Sequence, residues 1–461
     1  MTLRPGFPRA ALPLAALLLL TACAAVGPDP DAVTAPAVQT AFDGGGGALR
    51  GDVGARAFWS DYRDPVLSTL VAQGLGTSID IMTANERIRA ARADLQGAQP
   101  WAAQVTGGTA ELSQARAGIR GAGAAGTDSA TLSAGFVFDL FGGARRARQG
   151  AEASLRTAEA EAEVTRLAWL AEVIAAYADA RFQQQALALT RETIAAREGT
   201  LSITREMQAL GLATDYDIAQ TEALLQTARA DLPAFEAGHD AQVFRLSTLL
   251  NMQAGQVRSR LARGGALRVP AGPGTGVPAE LLVNRPDIRA ARAGLAQALA
   301  QVGVAEADML PALRLTGTVS DSDGAQGWSF GPALSLPVLN RGALQATRNR
   351  RISEARAADL AWRSQVAAAV EDVQRAQSNL RADRARIATL EAAAAAYDRA
   401  YDLARRNFEA GALPLVDLLD ADRQRAAARL QAASARNDAA KEWAVLQIAT
   451  GAGAAVAAVT P

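Results

Sequence analysis

Histidine and cysteine are almost absent from this chain: its 461 residues include one of each, His239 and Cys23. No disulfide can form within one copy. A zinc site of His and Cys, or a His-dependent catalytic triad, lacks the residues it needs, and His239 reads as a helix-surface residue. Lysine is nearly missing as well, Lys441 standing alone against many arginines, which reads as genome composition rather than mechanism. Excess charge of either sign is also lacking. Lys+Arg and Asp+Glu both total 47, so no basic field favours nucleic acid. There is no nucleophile and base constellation and no phosphate loop, which argues against an enzyme. After Cys23 no apolar run reaches the ~20 residues of a transmembrane helix.

One more absence is local. Between Ala343 and Ala410 there is neither Gly nor Pro, and Ala, Arg, Glu, Gln and Leu dominate. These are good helix formers, so one helix of roughly 68 residues is expected, about 100 Å long at ~1.5 Å per residue. Val366, Val373, Leu380, Ile387, Ala394, Tyr401 and Phe408 recur every seventh position, the stripe of a coiled coil. Gly411 ends this helix and Pro414 helps start the next, punctuation that predicts a tight helical hairpin. The chain then returns through Asp417, Asp420 and Arg423.

At the other end, Arg4 and Arg9 precede an apolar run from Ala10 to Leu20 that closes in Leu20-Thr21-Ala22-Cys23. A basic segment, a short apolar segment and small residues before the cut describe a secretory signal over 1–22. A Pro-, Ala- and Gly-rich stretch, 23–57, reads as an irregular linker. Asp64-Pro65 starts a helix, with Asp as N-cap and Pro at N1, running to about Gln99 with interruptions near Gly74 and Gly76. Over about 100–141 the period changes to 2. Leu132, Ala134, Phe136, Phe138 and Leu140 share one face of a strand whose partner, Val105 to Ser113, alternates poorly across the Gly-rich loop Gly118 to Gly126.

A second long helix and its return occupy about 144–250, turning at Gly211, with Pro233 expected to kink the return. An interval rich in Gly and Pro, 264–277, separates a first repeat, 58–263, from a second, 278–461. In the second, Val283 to Ile288 opens a helix running to about Leu310. Two alternating strands then fill about 311–339, and a helical hairpin about 343–450. Gly142 and Gly342, Gly211 and Gly411, and Asp217 and Asp417 lie 200 positions apart, and Val173, Leu187 and Leu201 match Val373, Ile387 and Tyr401. The identical hexapeptides Ile88 to Ala93 and Ile288 to Ala293 do not fit this register beside Pro100 and Pro311, and read as coincidence in Ala/Arg-rich sequence.

Each half thus supplies a β-hairpin, one long helix and two shorter ones that together match it in length. Four amphipathic strands cannot close a barrel, which needs ~8 or more, and an open edge is not tolerated in lipid. Two copies would pool eight strands and three would pool twelve; the alternation turns Leu, Phe and Trp to lipid and Ser, Thr and Gly to a lumen. A soluble sandwich alternates in the same way. Three copies of Asp417 and Asp420 about one axis would crowd like charges and favour cations, although two Asp near a helix start also simply cap it. Arg423 has a solvated helix face as its alternative.

The lipobox at Cys23, Phe58-Trp59 with Asp64-Pro65, Leu281-Leu282 with Arg285-Pro286-Asp287-Ile288 between the halves, and both hairpin tips resemble the TolC-type outer-membrane efflux proteins, specifically the NodT-like lipoprotein branch serving RND pumps. The resemblance covers nearly the whole chain. It implies an α+β membrane protein: a homotrimeric, twelve-stranded transmembrane β-barrel continued by a long periplasmic α-helical coiled-coil barrel. It also implies cleavage before Cys23 with lipid on its sulfur, and an outer-membrane location, since Ala24 stands where Asp would suggest inner-membrane retention.

The implied function is a passive exit duct for small molecules such as drugs, fed by an inner-membrane RND-type pump and a periplasmic membrane-fusion adaptor. Type I protein secretion and a non-pore structural lipoprotein are the alternatives. Val416, Asp417, Asp420 and Arg423 match the periplasmic gate, with Asp217 as an acidic partner. Leu210, Gly211, Leu212, Thr214, Gly411, Ala412 and Leu413 are the implied adaptor-docking tips. Phe408 and Leu413 depart from the Tyr and Arg of the better-known lock, leaving Asp420 with Arg423 to carry it. No cofactor or metal is implied.

Overall fold

A computed structural model describes residues 25–46, 52–99, 105–117, 125–272 and 275–456. The expected signal segment 1–22 and lipidated Cys23 lie outside the described residues, as do Pro100 and most of the loop Gly118 to Gly126. The described residues form two compact units, one drawn from 25–37, 86–161 and 287–365, the other from 38–85, 162–286 and 366–456.

A short 3-10 helix, Phe58–Tyr62, is followed by α1 (Pro65–Thr77), α2 (Ile79–Gly97), β1 (Val105–Ala117), β2 (Ala125–Phe138), α3 (Gly143–Ala209), α4 (Asp215–Leu250) and α5 (Ala254–Leu261). The second half gives α6 (Pro278–Asn284), α7 (Pro286–Ala307), β3 (Ala312–Ser322), β4 (Ala325–Ser335), α8 (Arg341–Glu409) and α9 (Leu415–Ala449). Asp64 caps α1 as expected, its Oδ1 accepting from the backbone N–H of Val66 at 2.8 Å and of Leu67 at 3.1 Å. The break comes at Ser78, not at the glycines. Gly74 is buried where a side chain would run into Trp169 and Leu250, so its smallness serves close packing rather than interruption. The expected single helix from Val283 is likewise two. Arg285 is extended between them, and Pro286 opens α7 because its fixed φ suits a first turn. The short α5 was not foreseen, and α4 runs unbroken through Pro233.

The sheet is antiparallel in the order β1-β2-β3-β4, so the two hairpins are joined through β2 and β3. Register puts Thr109, Ser133, Thr318 and Ser329 in one row across all four strands. Hydroxyl pairs bridge Thr109 to Ser133 at 2.5 Å and Thr318 to Ser329 at 2.6 Å. The next row, on the opposite face, is Ala110, Leu132, Val319 and Trp328. That face is bare in a single chain, Trp328 being 82 % exposed. The expected strand faces are therefore present, except that β2 ends at Phe138 and leaves Leu140 in the turn that follows, and β1, the poorly alternating one, is one residue shorter than its partner.

In the other unit, Trp443 packs edge-on to Tyr62 at 5.0 Å and against Phe58 at 5.9 Å, and the Tyr62 hydroxyl donates to the Ala440 carbonyl at 2.6 Å. Six of the seven heptad residues of α8 are buried, Ile387 being half-buried, and its repeat mate Leu187 is half-buried too. Arg285 donates to the Ala449 carbonyl at 3.1 Å and to Asp372 at 3.2 Å, which gives the motif between the halves a structural task. Among the described residues no helix is long and apolar enough to cross a membrane.

Candidate functional site

The two hairpin tips are built alike at their first corner. Gly211 and Gly411 take φ of 74° and 72°, a left-handed conformation that glycine adopts without Cβ strain. The next N–H then reaches back five residues: Leu212 donates to the Met207 carbonyl and Ala412 to that of Asn407, both at 2.8 Å. This is the glycine-ended helix terminus that the sequence indicated.

The second corners differ. Thr214 caps α4 in a reciprocal box. Asp217 accepts from the Thr214 N–H at 2.8 Å and its hydroxyl at 2.7 Å, and donates its own N–H back to that hydroxyl. These bonds, backbone first, hold the Asp217 carboxyl below the usual range. Pro414 caps α9 with no side-chain bond, one position before its expected place inside the helix. Asp417 therefore sits exposed at the third position of α9 without a box of its own.

Of the expected gate residues, Val416, Asp417, Asp420 and Arg423 are all exposed on the first turns of α9. Asp420 and Arg423 are brought together, at 3.0 Å, but as neighbours on one helix, both more than half exposed. Asp217 is engaged within its own tip. Of the expected docking residues, Leu210, Gly211, Leu212, Thr214, Gly411 and Ala412 are exposed, with Leu210 at 75 %. Leu413 is half-buried instead. It packs on a cluster of Tyr401, Phe408, Leu415, Leu418 and Leu419, alongside Ile203, Met207 and Leu224.

The sequence reading missed the strongest interaction near the tips. Arg197 of α3 donates from Nε to Asp422 of α9 at 2.6 Å and from Nη1 to the Leu224 carbonyl of α4 at 2.7 Å. The ionic side chains are only 8 % and 6 % exposed. Above them, Glu192 of α3 and Asp398 of α8 each accept from both Arg425 and Arg429 of α9, at 2.6 to 3.1 Å. Arg425 also lies 4.5 Å over the Tyr401 ring. Burial opposes the Asp398 carboxylate, but bonds from Arg429 and Arg425 outweigh it and hold its pKa below the usual range. Burial, then the nearby Asp422, pushes the Tyr401 phenol up. The first and second helical hairpins of one chain are thus bonded side to side. A signal existed: Leu415, Leu418, Leu419 and Asp422 follow inward helical spacing, so the stripe carries a charge where an apolar residue was due.

The sequence profile of outer membrane efflux proteins matches residues 70–252 and 277–452, one stretch in each repeat. The chain belongs to the outer membrane efflux protein family. This efflux protein is 33 % identical over 453 residues to nodulation protein T of Rhizobium leguminosarum bv. trifolii, covering 95 % of this chain and 96 % of that one. It is 28 % identical over 430 residues to the pyoverdine export outer membrane protein OpmQ of Pseudomonas aeruginosa, with 89 % and 90 % covered. The solved outer-membrane channel OprN superposes with a TM-score of 0.82 at 26 % identity, over 93 % of this efflux protein and 99 % of that chain. Family and fold are those of outer membrane channels, and the NodT-like resemblance read from the tips and linker motif holds.

Proposed function

We propose that three copies pool their strands into a twelve-stranded barrel in the outer membrane, continued by a periplasmic barrel of helices. The assembly is the exit duct of a tripartite efflux system. It passively carries small molecules handed on by an inner-membrane pump through a periplasmic adaptor. The observation that carries this reading is the sheet: four strands with free edges at β1 and β4, a hydroxyl row on one face and a bare apolar row on the other. An open edge of this kind is not stable in lipid, and copies that join edge to edge remove it. The efflux description of the family and the pyoverdine export named for OpmQ support small-molecule export over protein secretion.

In this reading the tips of α8 and α9 form the periplasmic gate, Asp417 and Asp420 repeating about the threefold axis. Crowded carboxylates there favour cations. Exposed Leu210 and Leu212 offer the adaptor an apolar foothold, and Cys23 carries the lipid. Single-channel conductance in planar bilayers tests the duct. Wild type gives a small, cation-selective conductance, and Asp420→Ala/Arg423→Ala gives a larger one. No conductance from either, with insertion demonstrated, overturns the reading.

A further inference from the structure

The stretch after Cys23 reads from its composition as an irregular linker, and its first described residues are fastened. Val26 donates its N–H to the Phe141 carbonyl at 3.0 Å, at the junction between β2 and α3. One turn into α3, the largely buried Arg146 turns its guanidinium onto the same residues. Nε donates to the Val26 carbonyl at 3.0 Å, and Nη2 to the carbonyls of Gly27 at 3.0 Å and Ala25 at 3.4 Å. Nη1 takes Gln149 at 2.9 Å. Among the described residues these acceptors are all neutral oxygens, so the rigid five-donor fork of Arg serves here as a clip for three successive carbonyls rather than as an ion-pair partner.

Three glycines let the chain lie this close. A Cβ on Gly142, at φ +77°, would come within 2.6 Å of the Ala25 Cα. One on Gly27, at φ +83°, would come within 2.6 Å of the Gly303 Cα, and one on Gly303 within 2.8 Å of the Arg146 side chain. Close approach on the strap, on α7 and at the start of α3 is more than a passing surface contact requires. A linker whose task is only to span a gap has no use for it.

We propose that Arg146 is a positioning residue for the N-terminal lipid: by clipping Ala25 to Gly27 to the β2–α3 junction it holds the acylated Cys23 beside the base of the sheet. This rests on the lipoprotein reading of Cys23. The reach follows from covalent geometry, since the three residues from Cys23 to Val26 extend at most ~10 Å. Acyl chains leaving that point enter the leaflet alongside the end of β2, where a 20-residue free tether would let them roam ~25 Å.

The test is metabolic labelling with a diazirine-bearing palmitate analogue in a Gram-negative host, followed by irradiation of the membranes and mapping of the crosslinked peptides. In wild type the label is incorporated and crosslinks concentrate on peptides around Phe138 to Phe141. In Arg146→Ala incorporation is unchanged, but those crosslinks fall several-fold and scatter. Gly27→Ala, which alters the strap and leaves α3 untouched, does the same and decides the matter if Arg146→Ala loses helical content. Arg156→Ala, which removes only the exposed pair with Asp31, matches wild type. Equal crosslink patterns in all four proteins overturn the clip. Failure of wild type to take up the label overturns the lipoprotein reading instead, and with it the role of the clip as an anchor guide.

Discussion

Arg197 and Asp422 show how much rests on one pair near the tips. Each is buried, so removing either leaves a charge without its partner at a cost of ~3–5 kcal/mol, whereas replacing both by apolar residues is close to neutral. We expect Arg197→Met and Asp422→Leu each to lower the thermal midpoint by several degrees and Arg197→Met/Asp422→Leu to recover most of it, read by circular dichroism as a double-mutant cycle. The exposed Asp420 and Arg423, one turn apart on a single helix, contribute little to folding, and Arg423→Ala changes the midpoint by less than about 1 kcal/mol equivalent. Acid acts at Asp217. Its folded pKa lies below the unfolded value, so the support it gives the first tip is present above the ordinary Asp range and is lost as pH falls through the depressed pKa. Protection of the amides at the start of α4, taken relative to intrinsic exchange at each pH, therefore falls in acid in wild type, and is already low at neutral pH in Asp217→Asn.

At the scale of elements, the two tips share a glycine corner and differ in their caps. Gly411→Ala places a Cβ on a left-handed residue and costs about 1 kcal/mol, and Gly211→Ala costs the same. A much larger or smaller loss in chemical denaturation would contradict a local turn role for these glycines. The long helices, both glycine corners, the return helix at Asp215 and the strand faces were legible because each depends on local spacing: seven-residue stripes, period-2 alternation and a residue able to take positive φ. The break at Ser78 and the clipped strap were not, because each is decided by partners far along the chain, whereas the split at Arg285 is local, set by Pro286. Gly74 is the clearest case, a helix-interrupting residue by composition that is a contact surface for Trp169 and Leu250 in the fold. Asp417, Asp420 and Arg423 were legible as charged residues just past the second tip, and they are exposed there, while the pair that binds the hairpins together was hidden, since nothing local links Arg197 to Asp422.

For the whole molecule, the bare face of the sheet must be covered, and lipid is the occupant the proposed barrel gives it. Trp328→Arg puts a charge on that face at about 2–4 kcal/mol if it lies near the bilayer midplane, and lowers the fraction inserted in the outer membrane. Ser329→Arg, its neighbour on the hydroxyl face, leaves insertion unchanged and alters conductance. The opposite ranking in membrane fractionation would place the faces the other way round. The 200-residue repeat gives the molecule two hairpins of nearly equal build, yet the bridge between them is lopsided. Position 397, the repeat mate of Arg197, is Tyr, and position 222, the mate of Asp422, is Glu. A hypothetical closed ring made only of first halves would still set an arginine against a carboxylate at every seam. One made only of second halves would offer tyrosine to aspartate and leave the acid without a cation. The duplicated halves have ceased to be interchangeable parts: one carries the key and the other only the lock, so neither can be exchanged for a second copy of its sibling without cost.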